Sequence, residues 1–174
     1  MNKPFSRAVL TAALALSAAA THAQTSNVTL YGTLDQYLNY MKSSSGKSLT
    51  SLNDGALMRS RLGFRGTEDL GGGLAVKFNL EHGLYADSGK QNDSTRFFDR
   101  QAWVGLATPY GEFRAGRQNS VAFVRSADID YSARTLGSLA NWYALTARYD
   151  NDLAYISPRV AGFVIEAHFA PGEQ

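Results

Sequence analysis

The groups able to do chemistry in this 174-residue chain are fixed charges set two residues apart. Arg59, Arg61 and Arg65 take one face of a period-two pattern, opposite Ser60, Leu62 and Phe64. A little further on, Lys77, Asn79 and Glu81 oppose Val76, Phe78 and Leu80. Consecutive strands that carry charges on one face and apolar groups on the other suit a water-filled lumen. Groups for covalent chemistry are sparse. With no cysteine, disulfides, thiolate zinc sites and cysteine nucleophiles are all excluded. His82 follows Leu80 on an apolar face, a membrane-interface position rather than that of a base. His168 stands beside Glu166 on a polar face, with no serine marked out as its partner. Glu81 and His82 are adjacent in a strand, point opposite ways and cannot share a metal. Gly71-Gly72-Gly73 opens a strand rather than a helix, so it reads as a turn and not a phosphate cradle. These residues predict no enzyme, no cofactor and no metal.

The elements that position the charges belong to an exported protein. Lys3 and Arg7 precede a small and apolar run over residues 8–20, and Thr21-His22-Ala23 puts small residues where a signal peptidase reads. This order predicts a signal peptide over residues 1–23, cut after Ala23, because the apolar run falls short of the roughly 20 residues a membrane helix needs. Without Lys3 and Arg7, the 17 basic residues become 15, against 15 acidic ones. A neutral chain gives no electrostatic case for nucleic acid. After Gln24 no stretch has the length and apolarity of a membrane helix.

Alternation predicts seven strands, over residues 27–42, 56–67, 74–85, 96–108, 113–118, 148–157 and 163–169. Several exceed the roughly 5–6 residues usual in soluble proteins and approach the roughly 9–11 of a tilted membrane strand. The connections alternate as well. Residues 43–55, 86–95 and 119–147 are long and polar, whereas 68–73, 109–112 and 158–162 are tight. Tyr31, Tyr40, Tyr85, Phe97 and Tyr149 fall towards strand ends, as interfacial girdles do. A soluble sandwich or an extracellular adhesive or binding barrel also alternates. The charge-lined face and the girdle favour an antiparallel up-and-down transmembrane barrel.

Four motifs, in order, carry a family resemblance. Ser60-Arg61-Leu62-Gly63-Phe64-Arg65-Gly66-Thr67-Glu68-Asp69-Leu70-Gly71 resembles the second strand and first turn of general diffusion porins of Gram-negative bacteria, in the beta-proteobacterial branch. Val28-Thr29-Leu30-Tyr31-Gly32 resembles the first strand of that family, and Arg100-Gln101-Ala102-Trp103-Val104-Gly105-Leu106 the fourth. Gly111-Glu112-Phe113-Arg114-Ala115-Gly116-Arg117-Gln118 resembles the fifth, running into the loop that narrows the pore. The resemblance implies a sixteen-stranded barrel in the outer-membrane bilayer, usually a homotrimer. Ions and small hydrophilic solutes would cross it by passive diffusion.

The same resemblance implies a third long loop, here about residues 119–147, folded into the lumen. It would set Asp128 and Asp130 across from basic wall residues. Arg61 and Arg117 match wall arginines of the family, and Lys77 joins them by alternation. Arg59, Arg65, Arg114 and Glu81 are further wall candidates. Strict alternation with Phe113 and Ala115 turns Arg117 outward and Arg114 inward, whereas the family position of Arg117 faces the pore. A bulge at Gly116 would reconcile them. Charges facing one another across a narrow waist bias which ion enters.

Seven strands are also too few for a bacterial single-chain barrel, whose strand number is even and starts at 8. The expected architecture is therefore all-β and of the sixteen-stranded porin type, but open and incomplete. Residues 24–174 would form the N-terminal part of the barrel domain, a truncated form that does not conduct alone.

Overall fold

The computed structural model describes residues 26–132, 138 and 146–172, so the expected signal segment lies outside them. Ten strands and one helix follow one another among the described residues. They are β1 (Ser26–Thr33), β2 (Gln36–Lys42), β3 (Ser48–Asp54), β4 (Arg61–Gly71), β5 (Leu74–Tyr85), β6 (Lys90–Gln91), β7 (Gln101–Thr108) and β8 (Gly111–Asn119), then the helix α1 (Val121–Ile129), β9 (Arg148–Ile156) and β10 (Glu166–Phe169). The main sheet runs β1-β4-β5-β7-β8-β9-β10 with every neighbour antiparallel, and β6 adds to β5. It is open, because β1 and β10 do not pair. The turns β4–β5, β7–β8 and β9–β10 share one end of the sheet; the long connections share the other.

The register sorts side chains into rows across the strands. Val28, Gly66, Phe78, Val104, Ala115, Leu153 and Phe169 form one continuous apolar row. The next row, on the opposite face, reads Thr29, Arg65, Asn79 and Trp103. Exposure is inverted relative to a water-soluble sheet. Val28, Leu30, Val104 and Leu153 are 63, 61, 54 and 55% exposed, while Glu81, Asp99 and Asp152 are 5, 5 and 0% exposed. Among the described residues Ala154 is the one fully buried apolar side chain. Water would penalise that apolar face, whereas hydrocarbon suits it. The sheet is therefore built to turn its aliphatic rows to lipid.

Several elements differ from the alternation reading. The expected first strand, 27–42, breaks at Leu34 and Asp35, and the expected loop 43–55 contains β3, which pairs back on β2 as a separate hairpin. The break has a local cause. Asp35 Oδ2 accepts the backbone N–H groups of Leu57 (2.7 Å) and Met58 (2.6 Å), and the Asp35 N–H donates to Ser60 Oγ (2.9 Å). The Met58 and Leu57 donors hold the Asp35 carboxyl below the usual carboxylate range. These bonds anchor the hairpin base beside the start of β4.

The expected strands 96–108 and 163–169 begin late, at Gln101 and Glu166. Asp99, in the segment before β7, accepts the Gly83 N–H (2.6 Å) and Asn92 Nδ2 (3.0 Å) instead of joining the ladder. Val160 and Phe163 close the β9–β10 turn by an isolated bridge. The long connection after β8 carries α1, capped by Ser120, whose Oγ accepts the Phe123 N–H (3.1 Å). Two girdle assignments are corrected. Tyr149 stands opposite Gln118 with its ring 6.1 Å from that of His168, on the polar face. Tyr31 turns to the polar face, where its hydroxyl donates to Asn79 Oδ1 (2.7 Å) and Glu81 Oε2 (2.9 Å). Phe97 stays outside, exposed and stacked on His82 at 4.8 Å.

Lipid exposure of the aliphatic rows gives a direct expectation. Val104→Arg should cost about 2–4 kcal/mol in a bilayer, the range for a charge at mid-membrane, while Thr67→Arg on the polar face should stay within about 0.5 kcal/mol. Urea unfolding in lipid vesicles, followed by the loss of heat-modifiable gel mobility, measures both.

Candidate functional site

The polar face holds two carboxylate hubs, each placed by a long strand of the main sheet. Glu81, on β5, accepts Arg100 Nε at 2.6 Å and the Tyr31 hydroxyl at 2.9 Å, with Arg61 Nε 3.8 Å away. Gly63 lies between Tyr31 and Glu81 in their row, and a Cβ there would strike the Tyr31 ring. The absent side chain is what lets the tyrosine reach across β4. Glu112, on β8, accepts Lys77 Nζ at 2.8 Å and Arg114 Nε at 2.6 Å. The Arg114 guanidinium sits 4.3 Å from the centre of the Trp103 ring. Lys77 and Arg114 share one inward row across Gly105.

A third group of charges gathers where the long connections meet the strands. Arg117 donates to the Asp99 carbonyl at 2.6 Å and to Asp150 at 2.5 Å. Asp150 also takes Arg96 at 2.9 Å, and this carboxylate is the main cause of the raised Arg96 pKa. By register Arg117 stands opposite Ala102, in line with Leu30, Phe64 and Leu80. The ladder from β8 to β9 then slips between Gly116 and Gln118. Two β9 residues, Asp150 and Asn151, stand opposite the single Arg117, and Asn151 has φ +53°. A bulge therefore does sit at this level, with its extra residue on β9 rather than β8.

The helix α1 is tied to the same end. Ser120 Oγ donates to the Thr146 carbonyl (2.6 Å), and the Arg148 guanidinium lies 5.6 Å from the Phe123 ring centre. Arg125 reaches Asp128 (3.5 Å) on its own helix and Glu166 (3.4 Å) on β10. Glu166 in turn faces His168 Nε2 (3.2 Å), whose Nδ1 lies 2.5 Å from the buried Asp152.

The residues expected at a constriction thus fall into several groups. Arg61 and Glu81 are together, Lys77 and Arg114 share Glu112, and Arg117 is on Asp150. Arg65 lies over the Tyr31 ring at 5.2 Å, and Arg59 is exposed, donating to Asn92 Oδ1 at 3.3 Å. Asp128 is exposed on α1 and pairs with Arg125. Asp130 is buried and accepts Ser132 N–H (3.0 Å), Ser132 Oγ (2.6 Å) and Ser138 Oγ (2.6 Å). Arg100, Glu112, Trp103 and Arg148 were not anticipated. Alternation assigns Arg100 to the face of Ala102 and Val104, but it precedes the first residue of β7 and swings to Glu81. Glu112 falls in the expected tight turn 109–112, yet its spacing of two from Arg114 is the strand signal that places both inward.

Such a wall can do one thing well. It presents fixed, mutually paired charges to water along one face. Residues 10–174 match the family model of Gram-negative porins. The chain is 36% identical to outer membrane porin protein 32 of Delftia acidovorans over 149 residues, covering 79% of this chain and 42% of that protein. It is 34% identical to an outer membrane porin protein of Bordetella pertussis over 171 residues, covering 87% and 44%. Among solved structures, an anion-selective porin from Comamonas acidovorans superposes with a TM-score of 0.70 at 34% identity, over 83% of this chain and 46% of that one. The chain spans less than half the length of these relatives.

Glu81→Gln should strand the Arg100 and Arg61 guanidinium groups on a largely buried neutral partner and cost about 3 kcal/mol, the low end for breaking a buried ion pair. The check is a lower urea midpoint at unchanged m-value for the detergent-folded protein.

Proposed function

The chain belongs to the Gram-negative porin family, and from that premise we propose that its polar face is the wall of a water-filled channel for passive diffusion of ions and small hydrophilic solutes. As a member of that family it is a protein of the outer membrane. The observation that carries the channel reading is the inverted sheet: aliphatic rows exposed on one face, and Glu81, Glu112 and their cations lining the other. Residues 1–23 would direct export and be removed after Ala23, and residues 24–174 would supply barrel wall, with the segment 119–147 reaching into the lumen. Arg61, Lys77 and Arg117 would face Asp128 and Asp130 across the waist, and the finished pore would assemble as a homotrimer. The open sheet would not conduct alone, since its unpaired edges leave backbone groups unsatisfied in hydrocarbon.

A chimera tests this reading. Residues 26–169 replace the matching segment of the Delftia acidovorans porin, which supplies the strands that close the wall. The chimera should give stepwise conductance in a planar bilayer, and the chain alone should give none. A folded, heat-modifiable chimera without conductance would overturn the channel reading. In the conducting chimera, Asp128→Asn with Asp130→Asn should move the reversal potential in a salt gradient towards anion preference; an unchanged potential would place both carboxylates off the ion path.

A further inference from the structure

A cavity of about 370 Å³ opens on the polar face, lined by Asn27, Thr29, Arg65, Thr67, Lys77 and Trp103 among others. It arises from the side-chain sizes in two adjacent rows. In one row the short Thr29 and Asn79 alternate with the long Arg65 and Trp103, while in the next Thr67 and Gly105 flank Lys77 and Asn27 follows Thr67. The volume falls at the lower end of small-molecule sites. None of its lining residues is acidic.

Arg65 and Lys77 are the two cations that line this cavity, and they differ from each other and from the cations elsewhere on the sheet. Arg61, Lys77, Arg100, Arg114 and Arg117 each hold a carboxylate. Among the described ion pairs Arg65 holds none; its guanidinium is exposed and its ring contact is the Tyr31 face. A guanidinium without a carboxylate offers a planar fork of donors that fits one in two parallel hydrogen bonds. Trp103 supplies the other half of the recognition. Its indole N–H already donates to Gln101 Oε1 at 3.0 Å and the Arg114 guanidinium takes one ring face, so what Trp103 turns to the cavity is its remaining apolar surface rather than a donor.

We propose that this cavity is a solute subsite for small carboxylates that carry a flat aromatic body, the carboxylate on Arg65 beside Lys77 and the ring against Trp103. The site rests on the channel reading only in that this face is the lumen, and it lies on β1, β4, β5 and β7 rather than on the charges tied to α1. A passing solute of this class would pause there, and smaller or uncharged ones would not.

The test is equilibrium dialysis of the detergent-folded full chain against labelled benzoate, acetate and benzamide. Benzoate should saturate one site, with acetate and benzamide weaker by about tenfold or more, the worth of one charge-assisted contact or one buried ring face. Arg65→Gln and Trp103→Leu should each lower benzoate affinity by about tenfold, and Arg65→Lys, which keeps the charge without the fork, by less. Lys47→Gln, in the exposed hairpin turn, should bind as the parent does. Absence of saturable benzoate binding, equal binding of acetate, or unchanged affinity in both Arg65 variants would overturn the subsite. Loss of conductance in the chimera with benzoate binding intact would instead overturn the channel and leave the subsite standing.

Discussion

Hydrocarbon offers no partner to a backbone N–H or C=O, and the rest of this structure answers to that constraint. The main sheet pairs each interior strand on both sides, so the ladder itself satisfies the groups that lipid cannot. Once the ladder is fixed, strand pleat decides the rest: residue by residue, one side chain goes to lipid and the next to water. Val28 and Thr29, Phe64 and Arg65, and Phe78 and Asn79 are adjacent in sequence yet sit in opposite solvents. Polar interior and apolar exterior are thus one property of the fold, set by a period of two.

The charges that line the polar face are arranged economically. Glu81 and Glu112 each gather two cations and hold strands that are not neighbours in sequence: Glu81 links β5 to the segment before β7 and to Tyr31 on β1, and Glu112 links β8 to β5. Each cation is thereby fixed in position, which a free lysine or arginine on a wet wall would not be. A field built from fixed charges acts on passing ions without first having to reorganise. The glutamates therefore stabilise the wall and define its electrostatics together.

Most of the sheet was legible because its long strands keep strict alternation. The segment 74–85 is β5 to the residue, and Arg61, Arg65, Lys77 and Glu81 lie on the face that their parity predicts. Legibility fails where a side chain replaces the ladder as the partner of the backbone. Asp35 takes two N–H groups and ends β1; Asp99 takes the Gly83 N–H, and Arg100 escapes the parity of β7. The helix α1 was missed for a related reason. Its start is marked by a single serine, Ser120, whose side chain does the capping, and no strand period runs through Val121–Ile129. Arg117 lies on the boundary between these regimes, which is why family position and alternation disagree about it. The residue opposite it that breaks the register, on β9, carries no glycine or proline to announce the bulge.

The order of the main sheet also has a consequence for assembly. β1 and β10 are joined by an unbroken series of antiparallel steps through five intervening strands, so the two edges point in the same direction. Two copies related by an axis along the membrane normal would bring β1 of one beside β10 of the other in parallel. An axis in the membrane plane would restore antiparallel contact, but it would put tight turns and long connections on both sides of the bilayer. A second copy therefore cannot complete this wall in its own pattern. Only an odd number of further strands, entering and leaving against the direction of β1, closes the ring with every step antiparallel.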